Sequence, residues 1–424
     1  MPTQIVGLDN LQTLTDFVVG MQDTGLSLKE IGKFPNLWGK LCIKNLHNVI
    51  NAIEAYDVNM RNREHIEELE LQWSEQTEDS RIEKDVLDML QPSFNLKKLS
   101  IRLYGGTSFP SWLVDPLFSN IVSLCISNCE YCVTLPPLGQ LPSLKDLTIK
   151  DITMETIGLE FYGMTVEPSI SSFQPFQSLE YLKFSSMPNW KEWIHHGTGE
   201  FGFPRLRNLF LMECPKLKGH LPSHLPSINN IFIARCESLL TTPPTTLDWL
   251  SSLKDIHIRG CPERCTKSSQ LLLLEINSPC VLHSVKIMYC ATLVSLPKII
   301  WSSICLRFLE LHDLPSLAAF PTDGLPTSLQ SLTIHDCPNL AFLPLETWRN
   351  YTSHMTLHLN ASCDALTSFP LDGFQALQDL SINGGKNLES IFISESSSHL
   401  PSTLQLFEVC KCDALRSLTL RMDH

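Results

Sequence analysis

Four stretches of the chain align without gaps: "LCISNCEYCVTLP" (124–136), "VKIMYCATLVSLP" (285–297), "LELHDLPSLAAFP" (309–321) and "LTIHDCPNLAFLP" (332–344). Only the apolar positions agree. Counting each unit from its first apolar residue as offset 0, apolar residues return at offsets 3 and 5. A small or apolar residue, often Cys, stands at 8, apolar residues follow at 11 and 14, and Pro is frequent at 15. The unit at Leu329 runs through Leu332, Ile334, Cys337, Leu340 and Leu343 to Pro344. The unit at Leu282 runs through Val285, Ile287, Cys290, Leu293 and Leu296 to Pro297. Further units begin near Trp38, Ile66, Leu96, Ile121, Leu144, Leu179, Leu206, Ile228, Leu253, Leu306, His354, Leu377 and Leu404. That makes roughly fifteen units at a mean period of about 25 residues, inside the range of leucine-rich repeats.

The pattern dictates a geometry. Offsets 3 and 5 alternate, so they share one face of a short strand. Offset 8 lies where the chain leaves that strand, and offsets 11 and 14 return to the same core. Pro at 15 limits further pairing. A single unit cannot bury this face, but stacked units bury one another's. The fold expected is an α/β repeat: a curved leucine-rich repeat solenoid with a parallel sheet on its concave face and an irregular or short-helical convex side. Offsets 1, 2, 4, 6 and 7 face solvent on the strand side and are free to vary, which suits a binding surface.

The chain divides by regularity. Residues 1–35 precede the repeats, 36–110 hold irregular repeats with helical insertions, and 111–424 hold regular repeats. In the irregular part, Ala52 to about Arg63 reads as helical. "SRIEKDVLDMLQP" places Ile82, Val86, Leu87 and Leu90 at helical spacing before Pro92. About twelve acidic residues stand against four Lys or Arg between Glu54 and Asp88, a solvated face or a docking patch for a basic neighbour. The period is broken by "METIGLEFYGMTVEPSISSFQPFQS" (154–178), "IHHGTGEFGF" (194–203) and "RCTKSSQLLLLEINSPC" (264–280), each read as a surface loop.

Composition removes several function classes. A net charge of −13 argues against a general nucleic-acid or anionic-membrane binder. No apolar run reaches a membrane-spanning length, and no signal peptide is evident. The 15 cysteines suit reduced thiols in a cytoplasmic protein. Cys129, Cys214, Cys236, Cys261, Cys290, Cys337 and Cys412 all fall on offset 8, so they read as buried repeat positions. Cys129/Cys132 has CxxC spacing but both fall on repeat core offsets, and Cys261/Cys265 lacks a second pair at ligand spacing, so neither reads as a zinc site. No phosphate loop, GxSxG, HExxH or kinase signature occurs: Gly32-Lys33, Gly39-Lys40 and Gly385-Lys386 lack the following Ser or Thr. No catalytic, metal or cofactor residues are assigned, and no enzyme activity is expected.

What remains is recognition. By offset, the aromatic, Met and charged positions facing solvent include Tyr181, Lys183, Phe210, Met212, Phe232, Arg235, His257, Arg259, Met288, Tyr289, Phe308, His312 and His335. Aromatics, Met and Arg are enriched at interface cores. His312 and His335 occupy offset 6 of consecutive units, so stacking brings them about 5 Å apart as surface or recognition residues rather than a metal pair.

Several segments, taken in order, resemble one family. "IVGLDNLQTLTDFVVG" (5–20) is similar to the passage from the nucleotide-binding domain into the repeats of plant NB-ARC immune receptors. "KLCIKNLHNVINAIEAYDVNMRNREHIEELELQW" (40–73) resembles the first repeats of their coiled-coil class. "VLDMLQPSFNLKKLSIRLYGGTSFPSWL" (86–113), "LPPLGQLPSLKDLTI" (135–149), "IGLEFYG" (157–163) and "PFQSLEYLKFSSMPNWKEW" (175–193) resemble further family segments in the same order. The resemblance implies an intracellular, cytoplasmic or nucleocytoplasmic sensor. Its partners would be a pathogen effector or a modified host protein, and an NB-ARC domain in cis or in trans. ADP or ATP is expected on that NB-ARC domain alone. The NB-ARC switch is missing before Met1, and "LRSLTLRMDH" ends within or just after a repeat, so a fragment or shortened product is expected. The alternatives are a ubiquitin-ligase substrate adaptor, whose F-box helix pair is not seen in the first forty residues, and a bare repeat interaction protein.

Overall fold

The computed structural model describes residues 5, 7–8, 10–21, 25–164, 174–194, 202–222, 224–240, 252–260, 281–322, 324–343, 345–348, 351, 354–374, 376–393 and 402–419. Two compact units, Met1–Ile228 and Asn229–His424, divide the chain. The expected insertion 264–280 and the Cys261/Cys265 spacing lie outside the described residues.

In the first unit the repeats become eight parallel strands: β1 (Asp16–Val18), β2 (Gly39–Lys44), β3 (Ile66–Gln72), β4 (Lys98–Arg102), β5 (Ser123–Ser127), β6 (Asp146–Lys150), β7 (Tyr181–Ser185) and β8 (Asn208–Met212). Each pairs in parallel with its neighbour, and the register places equal offsets side by side. Offset 3 becomes a row of leucines, from Leu41 and Leu69 to Leu182 and Leu209. Offset 5 becomes a second row, from Phe17 and Ile43 to Phe184 and Leu211, and both rows are fully buried. Each such side chain contributes about 1.5–3 kcal/mol by leaving water, and the stacking makes every row the core of its neighbours. β1 was not among the units counted from sequence.

The second unit repeats the arrangement in β9 (Asn230–Ala234), β10 (Asp255–Arg259), β11 (Ser284–Met288), β12 (Phe308–His312), β13 (Ser331–His335), β14 (Met355–Asn360), β15 (Leu377–Asn383) and β16 (Leu406–Cys410). Buried rows run from Ile231 to Leu380 and from Ile233 to Ile382, while Phe407 and Val409 on β16 are only half-buried.

The strand ends explain the cysteines. The residue at offset 7 takes a left-handed backbone in most units: Asn128, Asp151, Ser186, Glu213, Arg235, Tyr289, Asp313 and Asp336 have φ between 51° and 56°. Its N–H donates to the last strand carbonyl of the next repeat, as Tyr289 to His312 at 2.9 Å and Asp313 to His335 at 2.8 Å. The thiol at offset 8 then turns back to its own strand end. Cys129, Cys214, Cys236, Cys290, Cys337 and Cys412 each donate Sγ–H to the carbonyl two residues earlier, at 3.2 to 3.4 Å. All but Cys412 are buried. A small side chain with a weak donor fits a position enclosed by backbone.

Four expectations are corrected. Trp38 and His354 stand at offset 0 but are exposed, and the register shifts beside both, at Gly39/Lys40 and Met355/Thr356. The helix expected over 52–63 breaks at Asn59 (φ 53°), leaving α1 (Ile53–Asp57) and a 3-10 turn at Met60–Asn62. The long insertion is not merely a surface loop. Phe161, Tyr162 and Phe176 join Phe184, Trp190, Trp193 and Phe203 in a buried aromatic cluster. The return segments also pair: Thr156–Ile157 with Glu192–Trp193, Ser368–Pro370 with Ser390–Phe392, and Ser390–Phe392 in turn with Ser417–Thr419.

Two buried charges hold the irregular repeats. Arg63 donates to the carbonyls of Val58, Phe34 and Ile31 at 3.1, 2.6 and 2.7 Å, tying three turns together. Helix α2 (Ser80–Met89) is capped by Asp79, whose carboxylate accepts from the N–H of Arg81 and Ile82. Its Glu83 points inward and accepts from Gly105 N–H at 2.7 Å. Burial pushes the Glu83 carboxyl from 4.5 up to about 7.

Candidate recognition surface

The solvent face of each sheet is set by strand alternation, so offsets 2, 4 and 6 form three columns across the strands. All thirteen residues assigned from sequence are half-buried or exposed and none is in the core. They separate into two groups. Tyr181 and Lys183 on β7 and Phe210 and Met212 on β8 belong to the first unit, where the Tyr181 and Phe210 rings pack with centroids 4.9 Å apart. The other nine belong to the second unit.

In the first unit, the charges of β3 and β4 neutralise each other. Lys97 pairs with Glu67 at 2.8 Å, Lys98 with Glu68 at 2.6 Å and Arg102 with Glu70 at 3.2 Å, each across neighbouring strands. Lys40 adds a second cation to Glu70 at 3.8 Å. Three carboxylates of the acidic run are therefore structural pairs rather than a free patch. Cross-strand pairs of this kind are each worth a few tenths of a kcal/mol up to about 1 kcal/mol. They leave little charge on β3 and β4 for a partner.

The second unit differs at the same positions. Phe232 and His257 share the offset-4 column in a T-shaped contact 6.0 Å between centroids. In the offset-6 column, Arg259, Met288, His312 and His335 are direct register partners from β10 to β13. The His312 and His335 rings stack at 5.6 Å with an interplanar angle of 18°, as the repeat spacing implies. The Arg259 guanidinium lies 4.8 Å over the Tyr289 ring. Tyr289 reaches it from a left-handed backbone, an uncommon conformation for a bulky residue and one that orients the ring toward the preceding repeat. Gly260 makes room: a Cβ there would fall 2.4 Å from the Tyr289 carbonyl oxygen. Phe308 is 46% exposed at the head of β12. Arg235 is exposed at the turn after β9.

Sequence reasoning missed Lys286 and Glu310, which pair at 2.6 Å in the offset-4 column beside these residues. Glu310 also lies 3.4 Å from His312 Nε2, an electrostatic contact rather than a formed hydrogen bond. Burial raises the Glu310 carboxyl, but Lys286 outweighs it and holds the group below its usual value. Burial, then Lys286, pushes His312 and His257 below the ordinary imidazole range, so both are neutral near pH 7. The His335 Nδ1 lies 2.7 Å from Asp336. The signal for Lys286 and Glu310 was present in their shared offset on adjacent repeats, but they were not scored as a pair. Among the described residues, no group of three or more His, Cys, Asp or Glu side chains could hold a metal, and no helix is long and apolar enough to cross a membrane.

Comparison with known proteins places this geometry. Residues 28–152 match the family model described as R13L1/DRL21 LRRs. The chain is 34% identical over 332 residues to the Arabidopsis thaliana disease resistance RPP13-like protein 1, covering 74% of the chain and 31% of that protein. It is 31% identical over 260 residues to the disease resistance protein RGA2 of Solanum bulbocastanum, covering 59% of the chain and 26% of that protein. The chain thus spans less than a third of the length of these curated relatives. Among solved structures, a Bacteroides eggerthii leucine-rich repeat protein aligns with 91% of the chain and 71% of its own, at a TM-score of 0.46 and 13% identity. A Leptospira interrogans leucine-rich repeat protein covers 89% of the chain and 87% of its own, at a TM-score of 0.43 and 17% identity. The chain is a leucine-rich repeat solenoid, similar along its repeats to the leucine-rich repeat region of plant disease resistance proteins.

Proposed function

We propose that this chain is the ligand-sensing repeat region of an intracellular plant immune receptor, and that the sheet face of its second unit recognises a pathogen effector or a modified host protein. The observation that carries the reading is the contrast between two equivalent faces. On β3 and β4 the charged residues pair with one another across the strands. On β10 to β13 the same positions present Arg259 on an aromatic ring, Met288, a half-exposed Phe308 and a stacked histidine pair. Exposed aromatic, Met and Arg side chains in one patch are what interface cores use. The similarity to disease resistance proteins supports the immune setting. The irregular repeats of the first unit, through exposed acids outside the paired residues of β3 and β4, would dock the NB-ARC switch. Ligand binding would then act as a population shift between docked and released states.

The test is affinity capture from infected plant tissue with three forms of the chain. The wild type should retain a specific effector or host protein. The variant Arg259→Glu/His312→Glu/His335→Glu should lose it with an unchanged circular dichroism spectrum, whereas Lys98→Glu/Arg102→Glu should keep it. Retention by the first variant refutes the assignment of the face. Loss of folding in that variant refutes the placement of these residues on the solvent side.

A further inference from the structure

We infer that the partner of the second unit's sheet face is an acidic protein segment, with Asp or Glu side chains set beside apolar ones. This deepens the reading above and rests on it. The chain as a whole carries a net charge of −13. Against that background, the strands β10 to β13 with the residue directly before and after each carry Lys254, Arg259, Lys286 and Arg307 against Asp255, Glu310, Asp313 and Asp336, and Lys286 is already paired with Glu310. The corresponding positions on β3 to β6 hold equal numbers of both signs, several in direct ion pairs. Neither face carries an excess of base; what sets the second apart is Arg259, a cation held on an aromatic ring rather than by a carboxylate.

Its geometry favours a peptide carboxylate. Among the described residues, no carboxylate lies within ion-pair distance of Arg259; its guanidinium rests on the Tyr289 ring, which orients it and leaves its donors available. A planar fork held in this way suits bidentate binding of a carboxylate. Met288 stands next to Arg259 in the same column, so an apolar side chain has a place beside the acid. His312 and His335 follow in that column as further polar contacts. A polynucleotide fits less well. Its affinity comes from many phosphate contacts, whereas this face is balanced in charge and the chain is acidic overall.

Selection of phage-displayed short peptides of random sequence on the immobilised full chain tests this. The expected enrichment is in Asp or Glu adjacent to Leu, Met or aromatic residues. Synthetic forms of those peptides should bind about ten-fold or more weakly to Arg259→Glu and at raised salt, and equally well to Lys98→Glu. The milder Arg259→Gln should fall between. A selection in which acidic sequences are not enriched, including one with no enrichment at all, overturns the inference. Neutral peptides whose binding is lost in Phe308→Ala and Met288→Ala would leave the face as the binding site while refuting its acidic partner. Peptides sensitive to Lys98→Glu and indifferent to Arg259→Glu would refute both. Arg259-dependent binding of a single-stranded oligonucleotide in preference to the peptides would also overturn it.

Discussion

Replacing Glu83 by Gln should stabilise the chain at neutral and alkaline pH and leave it nearly unchanged in mild acid. The Glu83 side chain is 4% exposed and accepts from Gly105 N–H at 2.7 Å, and burial raises its pKa from 4.5 to about 7, with the Asp79 carboxylate adding to the effect. A group whose folded pKa lies above its unfolded value binds more protons in the folded state across the interval between them. Its stabilising contribution is complete below about pH 4.5 and is lost as pH rises toward 7. The full loss corresponds to about 3 kcal/mol. The amide of Gln keeps an acceptor for Gly105 and carries no charge. Glu83→Gln should therefore gain about 1–3 kcal/mol over the wild type at pH 8 and about zero at pH 4. Urea unfolding of both proteins at the two pH values measures this, and taking the difference removes the other titrating groups, including His257 and His312, whose shifts act in the opposite sense. A variant less stable than the wild type at pH 8, or a difference independent of pH, would refute the reasoning.

Other consequences follow from the stacking. Leu332 is fully buried between repeats, so Leu332→Ala should cost about 3 kcal/mol, while Phe407→Ala on the half-buried β16 should cost about 1–2 kcal/mol; equal losses in urea melts would contradict the burial gradient. Among the described cysteines, exposed Cys410 should react first with a thiol reagent on the native chain, well before Cys129 and Cys363, whose pKa values burial pushes up to about 12; mass spectrometry of the partly labelled protein reads the order. Gly260→Ala should push back the Tyr289 carbonyl and weaken acidic-peptide binding more than it changes the far-ultraviolet spectrum; no change in binding would separate Tyr289 from the recognition surface.

The repeat was legible because its offsets encode strand direction, core and turn together. Leu332, Ile334 and Cys337 behave as their spacing requires. β1 escaped notice because only Phe17 and Val19 of its segment reach the core, too few to show the pattern. The left-handed residue at offset 7 was hinted at by Asn128, Asp151, Asp313 and Asp336, types that tolerate that backbone. Glu213, Arg235 and Tyr289 do the same without that preference, held by the next strand's carbonyl. Arg63 and Glu83 were invisible because a charged residue at a polar position reads as surface, and only tertiary packing encloses them. On the candidate face, offsets placed every assigned residue on the solvent side. They could not show which face neutralises its own charge, because the Lys98–Glu68 and Lys286–Glu310 pairs depend on side-chain reach across strands.

The central claim is that recognition resides on the second unit's sheet face. The most direct measurement is a scan of single substitutions at offsets 2, 4 and 6 of every strand from β2 to β16, read as binding of the captured partner. The account predicts losses concentrated on β10 to β13, centred on Arg259, Met288, Phe308 and His312, with β3 to β6 nearly silent. Losses centred on β3 to β6, or spread evenly over both units, would contradict it.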